Sequence, residues 1–372
     1  MRIGIDAREL FGRPTGVGRY LAHLLKTWEG LPEASPHQFL LYGPSGEPGD
    51  SLPARLAASG LRVETRKVPG GGGTWWEQVR LAAAIRRDPP DVFFAPAYTA
   101  PLGIRTPTVL TVHDVSFLAH PEWFPLEMRV RQRLVTTVAA RRARCVLTVS
   151  EFSRGEIVRR LLIESSLVRV VPHGLTRPTG DRPTAPGRAR ESLVLFVGSI
   201  FNRRHLPEMI AAVAAVARRH PGIRLEIVGD NRTYPRQDLQ AIAASAGIGE
   251  HTTIRSYVAD DVLADLYARA GAFVFLSDYE GFGLTPLEAL SYGVPALVGD
   301  TPVAREVYAE AARYVATTDV PAAAAALDAL LFDADARASL LSMAPAVLGR
   351  YSWERAGRHT LAALLEAAGP RR

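Results

Sequence analysis

The sequence is poor in three features that many functional classes require: lysine, cysteine and long apolar runs. Its 372 residues include two lysines, Lys26 and Lys67, and one cysteine, Cys145. A P-loop needs a lysine after its glycines, and a pyridoxal phosphate Schiff base in the C-terminal half needs a lysine there, so both are excluded. A single cysteine permits neither an intrachain disulfide nor a cysteine zinc site, which favours a cytosolic protein.

Apolar runs long enough for a membrane span are also missing. No run reaches the roughly 18 residues that such a span needs. The segment Met1–Asp6 is typical of a β-strand and not of a signal peptide. The net charge of +6 is mild for this length, and aromatic residues do not alternate with the cations, so no nucleic-acid partner is expected.

Short apolar runs alternate with amphipathic stretches, which predicts α/β domains with parallel sheets covered on both faces. The strands are predicted at 3–6, 38–43, 62–67, 92–95, 108–112, 145–149, 168–171, 193–198, 224–229, 252–255, 272–276 and 296–298. The main helices are predicted at 17–28, 75–87, 126–140, 151–162, 205–219, 237–246, 260–268, 286–292, 321–331 and 353–368, the last capped by Ser352.

The alternation stops once, at a segment rich in Pro, Gly, Thr and Arg. Residues 176–190 have no apolar side chain larger than alanine and cannot form a core element, so we expect an exposed linker. The predicted domains are 1–175, which we expect the C-terminal helix 353–372 to join, and 192–352, and the predicted linker 176–191 connects them. Ligands of open parallel sheets bind beyond the carboxyl ends of the strands, so the residues after each strand are the candidates for a site.

A glycine-rich turn follows the predicted strand 272–276. In FVFLSDYEGFGLTPLEALSYGVP, the loop Glu280–Gly283 precedes a helix for which Thr285 is the expected N-cap, Pro286 the first residue and Glu288 the partner in a capping box. Amides near the start of this helix suit a phosphate. Glu288 is equally well explained as a capping residue alone, and Glu280 as an exposed loop carboxylate.

A basic turn follows the predicted strand 193–198. Arg203 and Arg204 lie before a helix whose dipole disfavours cations, so an anion such as a diphosphate would explain them. A solvated helix start is the alternative interpretation in a chain this rich in arginine.

The motif EGFGLTPLE resembles the donor-site signature of retaining GT-B glycosyltransferases of family 4, and the resemblance extends over nearly the whole chain. It implies two Rossmann-like domains that face each other across a cleft, with the acceptor on the N-terminal and the donor on the C-terminal domain. It also implies roles for individual residues. The sugar hydroxyls would meet Glu280, the ribose would meet Glu288, and the diphosphate would meet the amides of Phe282, Gly283, Leu284 and Thr285, together with Arg203 and Arg204. Arg204 and His205 replace the Lys and Asn of the family's R-K-N loop, and Thr285 stands where the family often has Pro.

The N-terminal half contains weaker signals. Gly16 and Gly18 form a GxG turn that lacks the third glycine of a dinucleotide site, and the resemblance implies that this turn approaches the donor phosphate. His113, in a segment similar to the family's H-D-x-x-F-x-x-x-P-E-x-F, would border the donor sugar; a histidine that closes a strand is the alternative. Arginines 129, 131, 133, 141, 142 and 144 accompany an apolar face of Val130, Leu134 and Val138, which fits either an anionic lipid surface or a solvated helix.

The expected activity is transfer of a hexose, with mannose from GDP-mannose as the first choice, to a saccharide or lipid-linked acceptor of a surface polysaccharide. Glu280, Arg203 and His113 are the expected catalytic residues, no cofactor or metal is expected, and the expected location is the cytoplasm, at the inner face of the plasma membrane. A nucleotide-sugar epimerase and a catalytically silent nucleotide-sugar-binding subunit are the alternatives. An NAD oxidoreductase is disfavoured because the full glycine fingerprint is missing.

Overall fold

The computed structural model describes residues 1–11, 16–45, 60–176 and 190–369, which form two units. The first consists of Met1–Pro121, Leu126–Gly174 and Ser352–Arg372, and the second of Glu122–Pro125 and Leu175–Tyr351. The C-terminal helix therefore belongs to the first unit, where the indole of Trp28 donates a 2.9 Å hydrogen bond to the carbonyl of Gly357. Most of the predicted linker, residues 177–189, lies outside the described residues.

The first unit contains a parallel sheet of seven strands in the order β3-β2-β1-β4-β5-β6-β7. Its strands are β1 (Arg2–Asp6), β2 (Gln38–Pro44), β3 (Arg62–Val68), β4 (Val92–Ala95), β5 (Thr108–Thr111), β6 (Cys145–Thr148) and β7 (Val168–Val170). The helices of this unit are Gly16–Glu29, Ala82–Arg87, Ser116–Ala119, Leu126–Arg142, Glu151–Leu161 and Trp353–Ala368, and a π-helix spans Trp76–Leu81.

The central strands of this sheet are buried on both faces, which is why their sequences are continuous apolar runs. Every residue of β4 is buried. Trp28 of the first helix stacks on Phe39 of β2, with ring centroids 5.2 Å apart. The C-terminal helix adds Leu361 and Leu364 to the same core, and Ser352 caps it as predicted.

The second unit contains a parallel sheet of six strands in the order β10-β9-β8-β11-β12-β13. Its strands are β8 (Leu193–Val197), β9 (Arg224–Val228), β10 (Thr252–Arg255), β11 (Ala272–Phe275), β12 (Ala296–Gly299) and β13 (Ala312–Val315). The helices are Leu206–Ala217, Leu239–Ser245, Asp260–Arg269, Leu284–Ser291, Pro302–Tyr308, Val320–Phe332, Ala334–Ser342 and Ala344–Leu348.

Both sheets reverse their strand order once, between β1 and β4 and between β8 and β11. Ligands of doubly wound sheets bind at the carboxyl ends of the two strands that flank such a reversal. In the second unit these ends lead into the basic turn of Arg203 and into the turn of Glu280, so the topology brings the two predicted site segments to one edge.

The predicted α/β fold with two parallel sheets is confirmed, and some element boundaries are corrected. The sequence prediction missed β13 and the helices that begin at Ser116, Pro302, Ala334 and Ala344, most of which are short. The single helix predicted over 75–87 is a π-helix followed by an α-helix. Within the described ranges, no helix combines the length and apolar content that crossing a bilayer requires.

The exposed apolar face of the helix Leu126–Arg142 consists of other side chains than predicted. Thr136, Ala139 and Ala140 are buried, whereas the exposed apolar stripe consists of Leu126, Val130 and Leu134. Val138 is only partly buried and extends the predicted stripe toward the packed end of the helix. The helix therefore has apolar residues on two faces, and its exposed stripe lies one turn nearer its N-terminus than predicted.

Candidate functional site

The turn after β8 carries the two predicted arginines. Arg203 and Arg204 lie in a 3-10 turn over Asn202–Arg204, and His205, with φ +48°, leads into the helix Leu206–Ala217. The Nη1 atom of Arg204 donates a 2.6 Å hydrogen bond to the carbonyl of Ser199. A Cβ at Gly198 would lie 2.6 Å from that same nitrogen, so the glycine permits the guanidinium to fold back over the end of β8.

Arg203 joins this turn to the one that follows β11. Its side chain is buried, and its Nε donates a 3.1 Å hydrogen bond to the carbonyl of Tyr279. Its own carbonyl accepts a 2.9 Å hydrogen bond from the amide of Asp278. The two turns are thus fixed to each other by both the backbone and the side chain of one residue.

Arg204 and Glu280 form a hydrogen-bonded ion pair within this arrangement. Nε of Arg204 donates to Oε1 of Glu280 at 2.8 Å, and the side chains are 11% and 14% exposed. The hydroxyl of Ser277 donates to the same carboxylate oxygen at 2.9 Å. Burial raises the pKa of Glu280, but the charges of Arg204 and Arg203 and the hydrogen bonds from Arg204 and Ser277 outweigh it and lower the pKa. The carboxylate is therefore ionised at neutral pH.

Aromatic rings support both guanidinium groups. The guanidinium carbon of Arg203 lies 4.3 Å from the ring centroid of Phe201 and 5.7 Å from that of Trp123. That of Arg204 lies 4.8 Å from the centroid of Phe275. Planar cations on aromatic faces are held in orientation while their hydrogen-bonding edges stay available in the plane.

The helix Leu284–Ser291 begins two residues earlier than predicted. Its N-cap is Gly283, with φ +85°, and no side chain caps it, so the predicted capping box of Thr285 and Glu288 is wrong. The reason is the left-handed backbone of Gly283, which the sequence pattern does not reveal. The hydroxyl of Tyr308 donates a 2.8 Å hydrogen bond to the Gly283 carbonyl, and a Cβ at Gly283 would lie 2.0 Å from that hydroxyl oxygen.

The start of this helix presents its first backbone amides at the end of the Glu280 turn. Leu284 and Thr285 are its first two residues, and amides of a first helical turn have no partner within the helix. Together with the helix dipole, such amides favour an anion. Phe282, from the preceding loop, is buried against Tyr351, with ring centroids 5.1 Å apart. The predicted phosphate-binding segment thus has a rigid base.

Glu288 has a different neighbour from Glu280. Its Oε2 accepts a 3.1 Å hydrogen bond from the hydroxyl of Tyr267, and Tyr267 stacks on Tyr292 with centroids 5.2 Å apart. Glu288 is partly exposed. Glu288 does not cap the helix, so the interpretation of this residue as a capping glutamate is wrong. Its structural contact is the hydrogen bond from Tyr267.

In the first unit, His113 follows β5 and lies in a group of rings. Its Nε2 donates to the carbonyl of Pro96 at 2.9 Å, and its ring centroid lies 5.1 Å from that of Tyr20 and 5.4 Å from that of His173. Burial lowers the pKa of His113, and this effect outweighs the bond to Pro96 and the charge of Asp114, which raise it. The neutral ring of His113 carries its single proton on Nε2, where the carbonyl of Pro96 accepts the hydrogen bond. The catalytic role of His113 stays a prediction.

The predicted glycine turn is described in part. Gly16 and Gly18 lie in the first turn of the helix Gly16–Glu29, and residues 12–15 lie outside the described residues. Gly18 is buried and Gly16 is exposed. Among the described residues outside its own helix, none would lie within 4 Å of a Cβ at Gly16, so packing against them does not explain the glycine.

Two family models match this chain and between them cover most of it. The model for glycosyl transferases group 1 matches residues 182–345, and the model for glycosyltransferase family 4 matches residues 14–176. The chain belongs to the family 4 glycosyltransferases of GT-B fold. The first match contains both turns of the second unit, so the arginine pair and the glutamate turn lie within its matched region.

Curated relatives of this glycosyltransferase include bacterial mannosyltransferases. It is 27% identical over 292 residues to O-antigen chain mannosyltransferase B of Escherichia coli, covering 76% of each chain. It is also 27% identical over 263 residues to GDP-mannose:cellobiosyl-diphosphopolyprenol alpha-mannosyltransferase of Xanthomonas oryzae pv. oryzae, covering 69% of this chain and 67% of the relative.

Solved structures support the same fold for this glycosyltransferase. The structure of Anabaena HepE in complex with UDP-glucose matches with a TM-score of 0.75 at 18% identity, covering 98% of this chain and 100% of that chain. The lipopolysaccharide glycosyltransferase WaaG matches with a TM-score of 0.71 at 16% identity.

The sequence prediction missed several residues at this site. Asp278 accepts a 2.6 Å hydrogen bond from Nε2 of His205, and Glu208 lies 3.4 Å from the other ring nitrogen. Burial lowers the pKa of His205, but these two carboxylates outweigh it and raise the pKa to about 9. Asp278 lies shortly after the end of β11, and this position in the sequence could have indicated that it belongs to the site. Tyr308 comes from a helix that was not predicted, so its role at Gly283 had no local signal.

Proposed function

We propose that this glycosyltransferase transfers a hexose from a nucleotide-diphosphate sugar to a saccharide or lipid-linked acceptor in surface polysaccharide biosynthesis. The observation that carries the proposal is the Arg204–Glu280 pair, fixed through Arg203 at the carboxyl ends of β8 and β11. A cation pair and an ionised carboxylate at the reversal of a parallel sheet suit a ligand with a charged diphosphate and a hydroxylated sugar.

The diphosphate is expected to bind between the arginines and the first amides of the helix Leu284–Ser291. Glu280 balances the charge of Arg204, which leaves the charge of Arg203 and the helix dipole to attract an anion. Donors that are already oriented stabilise the negative charge that grows on the diphosphate as the sugar leaves, and removal of one such donor commonly costs about 3–4 kcal/mol. Gly16 and Gly18 are further residues that we assign to the phosphates.

The reaction that we propose retains the anomeric configuration and needs no metal. The bond between the anomeric carbon and the diphosphate oxygen breaks, and the acceptor hydroxyl oxygen bonds to that carbon on the same face. The proton of the hydroxyl passes to an oxygen of the departing diphosphate. Glu280 is held by Arg204 and Ser277, so we assign it to the sugar hydroxyls as a hydrogen-bond acceptor and not to nucleophilic attack. His113 would border the sugar, and Glu288 would bind the ribose.

Mannose from GDP-mannose is our first choice of donor, because two of the relatives described above are mannosyltransferases and the name of one specifies GDP-mannose. UDP-glucose is the second choice, because a protein of the same fold was solved with it. The relatives' acceptors, an O-antigen chain and a cellobiosyl-diphosphopolyprenol, support a saccharide or lipid-linked acceptor.

A screen of donors, followed by a transfer assay, tests this proposal. Thermal unfolding is measured with GDP, UDP, ADP and their sugar conjugates, and the conjugate that stabilises most is then incubated with and without acceptor. The proposal predicts stabilisation by one nucleotide sugar and a glycosylated product only when the acceptor is present. A product from the donor alone, with an epimerised sugar, would support the epimerase. Stabilisation without transfer to mannosyl, cellobiosyl or polyprenyl-linked acceptors would support the silent binding subunit.

The exposed stripe of the helix Leu126–Arg142 supports a contact with an anionic membrane, which we propose as part of this function. Leu126, Val130 and Leu134 are exposed and recur every four residues, so they share one face. The same helix contains five arginines and one glutamate. Apolar side chains beside cations suit the boundary between head groups and acyl chains, where a lipid-linked acceptor would lie at the cytoplasmic face.

Sedimentation with vesicles tests the membrane contact. The double variant Val130→Gln/Leu134→Gln should lose binding to vesicles of phosphatidylglycerol while its melting temperature stays unchanged. Leu162 is a control because it is an equally apolar, exposed residue of the same unit, and Leu162→Gln should still bind. Equal binding by all three proteins, or binding to neutral phosphatidylcholine alone, would contradict the proposed contact.

A further inference from the structure

A second feature at the ligand edge of a sheet lies in the first unit, where the segment Gly70–Leu81 follows β3. Its prominent side chain is Trp75, which is 61% exposed. Trp75 directly precedes the π-helix Trp76–Leu81. Short π-helical insertions cost stability and are frequent at functional sites, and a large exposed aromatic beside one calls for an explanation.

The neighbouring Trp76 fixes the backbone of Trp75. Trp76 is buried, and its indole donates a 3.0 Å hydrogen bond to the carbonyl of Val68, the last residue of β3. Gly70 passes so close to this ring that a Cβ there would lie 2.8 Å from Cδ1 of Trp76. The exposed tryptophan therefore stands on a rigid base and not on a loosely held loop.

Arg8 attaches the same segment to the end of β1. Its Nη1 donates to the carbonyl of Gly72 at 3.1 Å, and its Nη2 donates to Oε1 of Glu77 at 2.6 Å. Its Nε donates to both carboxylate oxygens of Asp6, at 3.0 and 2.9 Å. Asp6 is the last residue of β1, which flanks the reversal of this sheet. Trp75 lies between the two points that Arg8 holds, so it is anchored to the edge where a ligand of this unit is expected.

The charges of this anchor are satisfied within the protein. Glu77 is 1% exposed and also accepts hydrogen bonds from the hydroxyl of Thr99 at 2.7 Å and from the side-chain amide Nε2 of Gln78 at 2.9 Å. Burial lowers the pKa of Arg8, but the carboxylates of Asp6 and Glu77 outweigh it and raise the pKa. The buried ions serve to position the segment, which leaves contact with a ligand to the exposed Trp75 and its surface neighbours.

Arg80 completes the exposed surface. Its guanidinium carbon lies 4.9 Å from the ring centroid of Trp75, and Trp75 keeps its high exposure although this cation covers part of the ring. The electron-rich face of an indole attracts the weakly positive C–H face of a hexose, and a guanidinium beside it can donate to hydroxyl and ring oxygens. An aromatic that is held rigid loses little entropy when it binds.

From these contacts we propose that Trp75 and Arg80 form the subsite that binds a sugar of the acceptor. The inference deepens the proposed function by naming the residues and the contact that select the acceptor. The indole stacks on one sugar ring of the acceptor, and Arg80 donates hydrogen bonds to its oxygens. Neither residue takes part in breaking the donor's anomeric bond.

Kinetics with the acceptor varied tests this subsite. Trp75→Ala should raise the KM for the acceptor about tenfold while the KM for the donor and the turnover at saturating acceptor change less than twofold. Trp75→Phe should restore most of the affinity, because it keeps an aromatic face. Tyr257→Ala is the matched control, since Tyr257 is likewise 61% exposed and belongs to the other unit. An unchanged acceptor KM in Trp75→Ala, or an equal rise in Tyr257→Ala, would overturn the inference.

Direct binding separates failure of this inference from failure of the proposed function. Tryptophan fluorescence is titrated with mannobiose and with cellobiose in the wild-type protein and in Trp75→Phe. A saturable change in the wild type that is absent from Trp75→Phe supports the subsite even if no donor gives transfer. No change with either disaccharide overturns it, even if transfer occurs. Loss of binding to phosphatidylglycerol vesicles by Trp75→Ala, with the acceptor KM unchanged, would assign Trp75 to the membrane and also overturn it.

Discussion

Arg204 and Glu280, 76 residues apart in the sequence, share a 2.8 Å hydrogen bond in a largely buried setting. The pair joins the turns that follow two adjacent strands of the second sheet, β8 and β11. Because both side chains are charged, their ion pair orients the Glu280 carboxylate before a ligand binds. A sugar hydroxyl could then donate a hydrogen bond to this carboxylate without any rearrangement of the side chain.

The first prediction concerns the charge of Glu280. Glu280→Gln should lower turnover about a hundredfold and leave the affinity for the nucleoside diphosphate within about threefold, because the variant keeps Arg203 and Arg204. Steady-state kinetics and calorimetric titration with GDP and UDP measure the two effects. Ser277→Ala, which removes only one hydrogen bond to the carboxylate, should reduce turnover much less. Loss of nucleotide affinity with normal turnover would reverse the assignment of Glu280.

The second prediction separates two explanations of Glu288. If it binds ribose, Glu288→Gln should weaken nucleoside diphosphate binding about tenfold and shift the melting temperature little. Tyr267→Phe is the control, because it removes the hydrogen bond from the Tyr267 hydroxyl to Glu288 and should leave nucleotide binding nearly unchanged. A fall in melting temperature in both variants, with normal nucleotide binding, would show that the residue is structural.

The third prediction concerns the start of the helix Leu284–Ser291. Gly283→Ala should lower the free energy of unfolding by about 1–3 kcal/mol and weaken nucleotide binding, because the added Cβ combines a positive φ with a clash against Tyr308. Chemical denaturation measures the loss. Gly155→Ala lies in a helix and would bring its Cβ within 4 Å of no described residue outside that helix, so it should leave stability unchanged or slightly raise it. Equal stability of the two variants would contradict this explanation of Gly283.

The fourth prediction follows from the pKa of His205, which its carboxylate neighbours raise from 6.5 to about 9. A group whose pKa is raised on folding stabilises the protein fully below its unfolded pKa and loses that contribution as the pH rises through the folded value. The melting temperature of the wild type should therefore exceed that of His205→Asn most at pH 6 and least near pH 10. A difference that is constant over this range would show that His205 does not titrate as described.

The sequence predicted the positions of both turns because each follows a buried strand, and the periodicity of such strands is a local signal. It could not predict that Arg204 pairs with Glu280, since this contact depends on which strands are neighbours in the sheet. Threonine, proline and glutamate have strong helix-start preferences, and these predict an N-cap at Thr285. The positive φ of Gly283, which Tyr308 stabilises from 25 residues away, overrides them.

The segment Gly70–Leu81 shows a similar division between what the sequence predicts and what it does not. The tryptophans at 75 and 76 fall within a predicted helix, and neither residue type nor spacing indicates that one is buried and the other exposed. The difference arises from the bond between the Trp76 indole and Val68 and from the ion pairs of Arg8 with Asp6 and Glu77. These contacts join segments that are distant in the sequence, so the exposure of Trp75 and the burial of Trp76 can be seen only in the folded protein.

The proposed anion site includes Arg203, and titration calorimetry with GDP and UDP tests this site most directly. The wild-type protein should bind at least one of them, and Arg203→Ala should weaken that binding at least tenfold while a matched surface variant, Arg218→Ala, binds normally. Equal affinities of Arg203→Ala and the wild type for both nucleotides, or no binding of either by the wild type, would contradict the account.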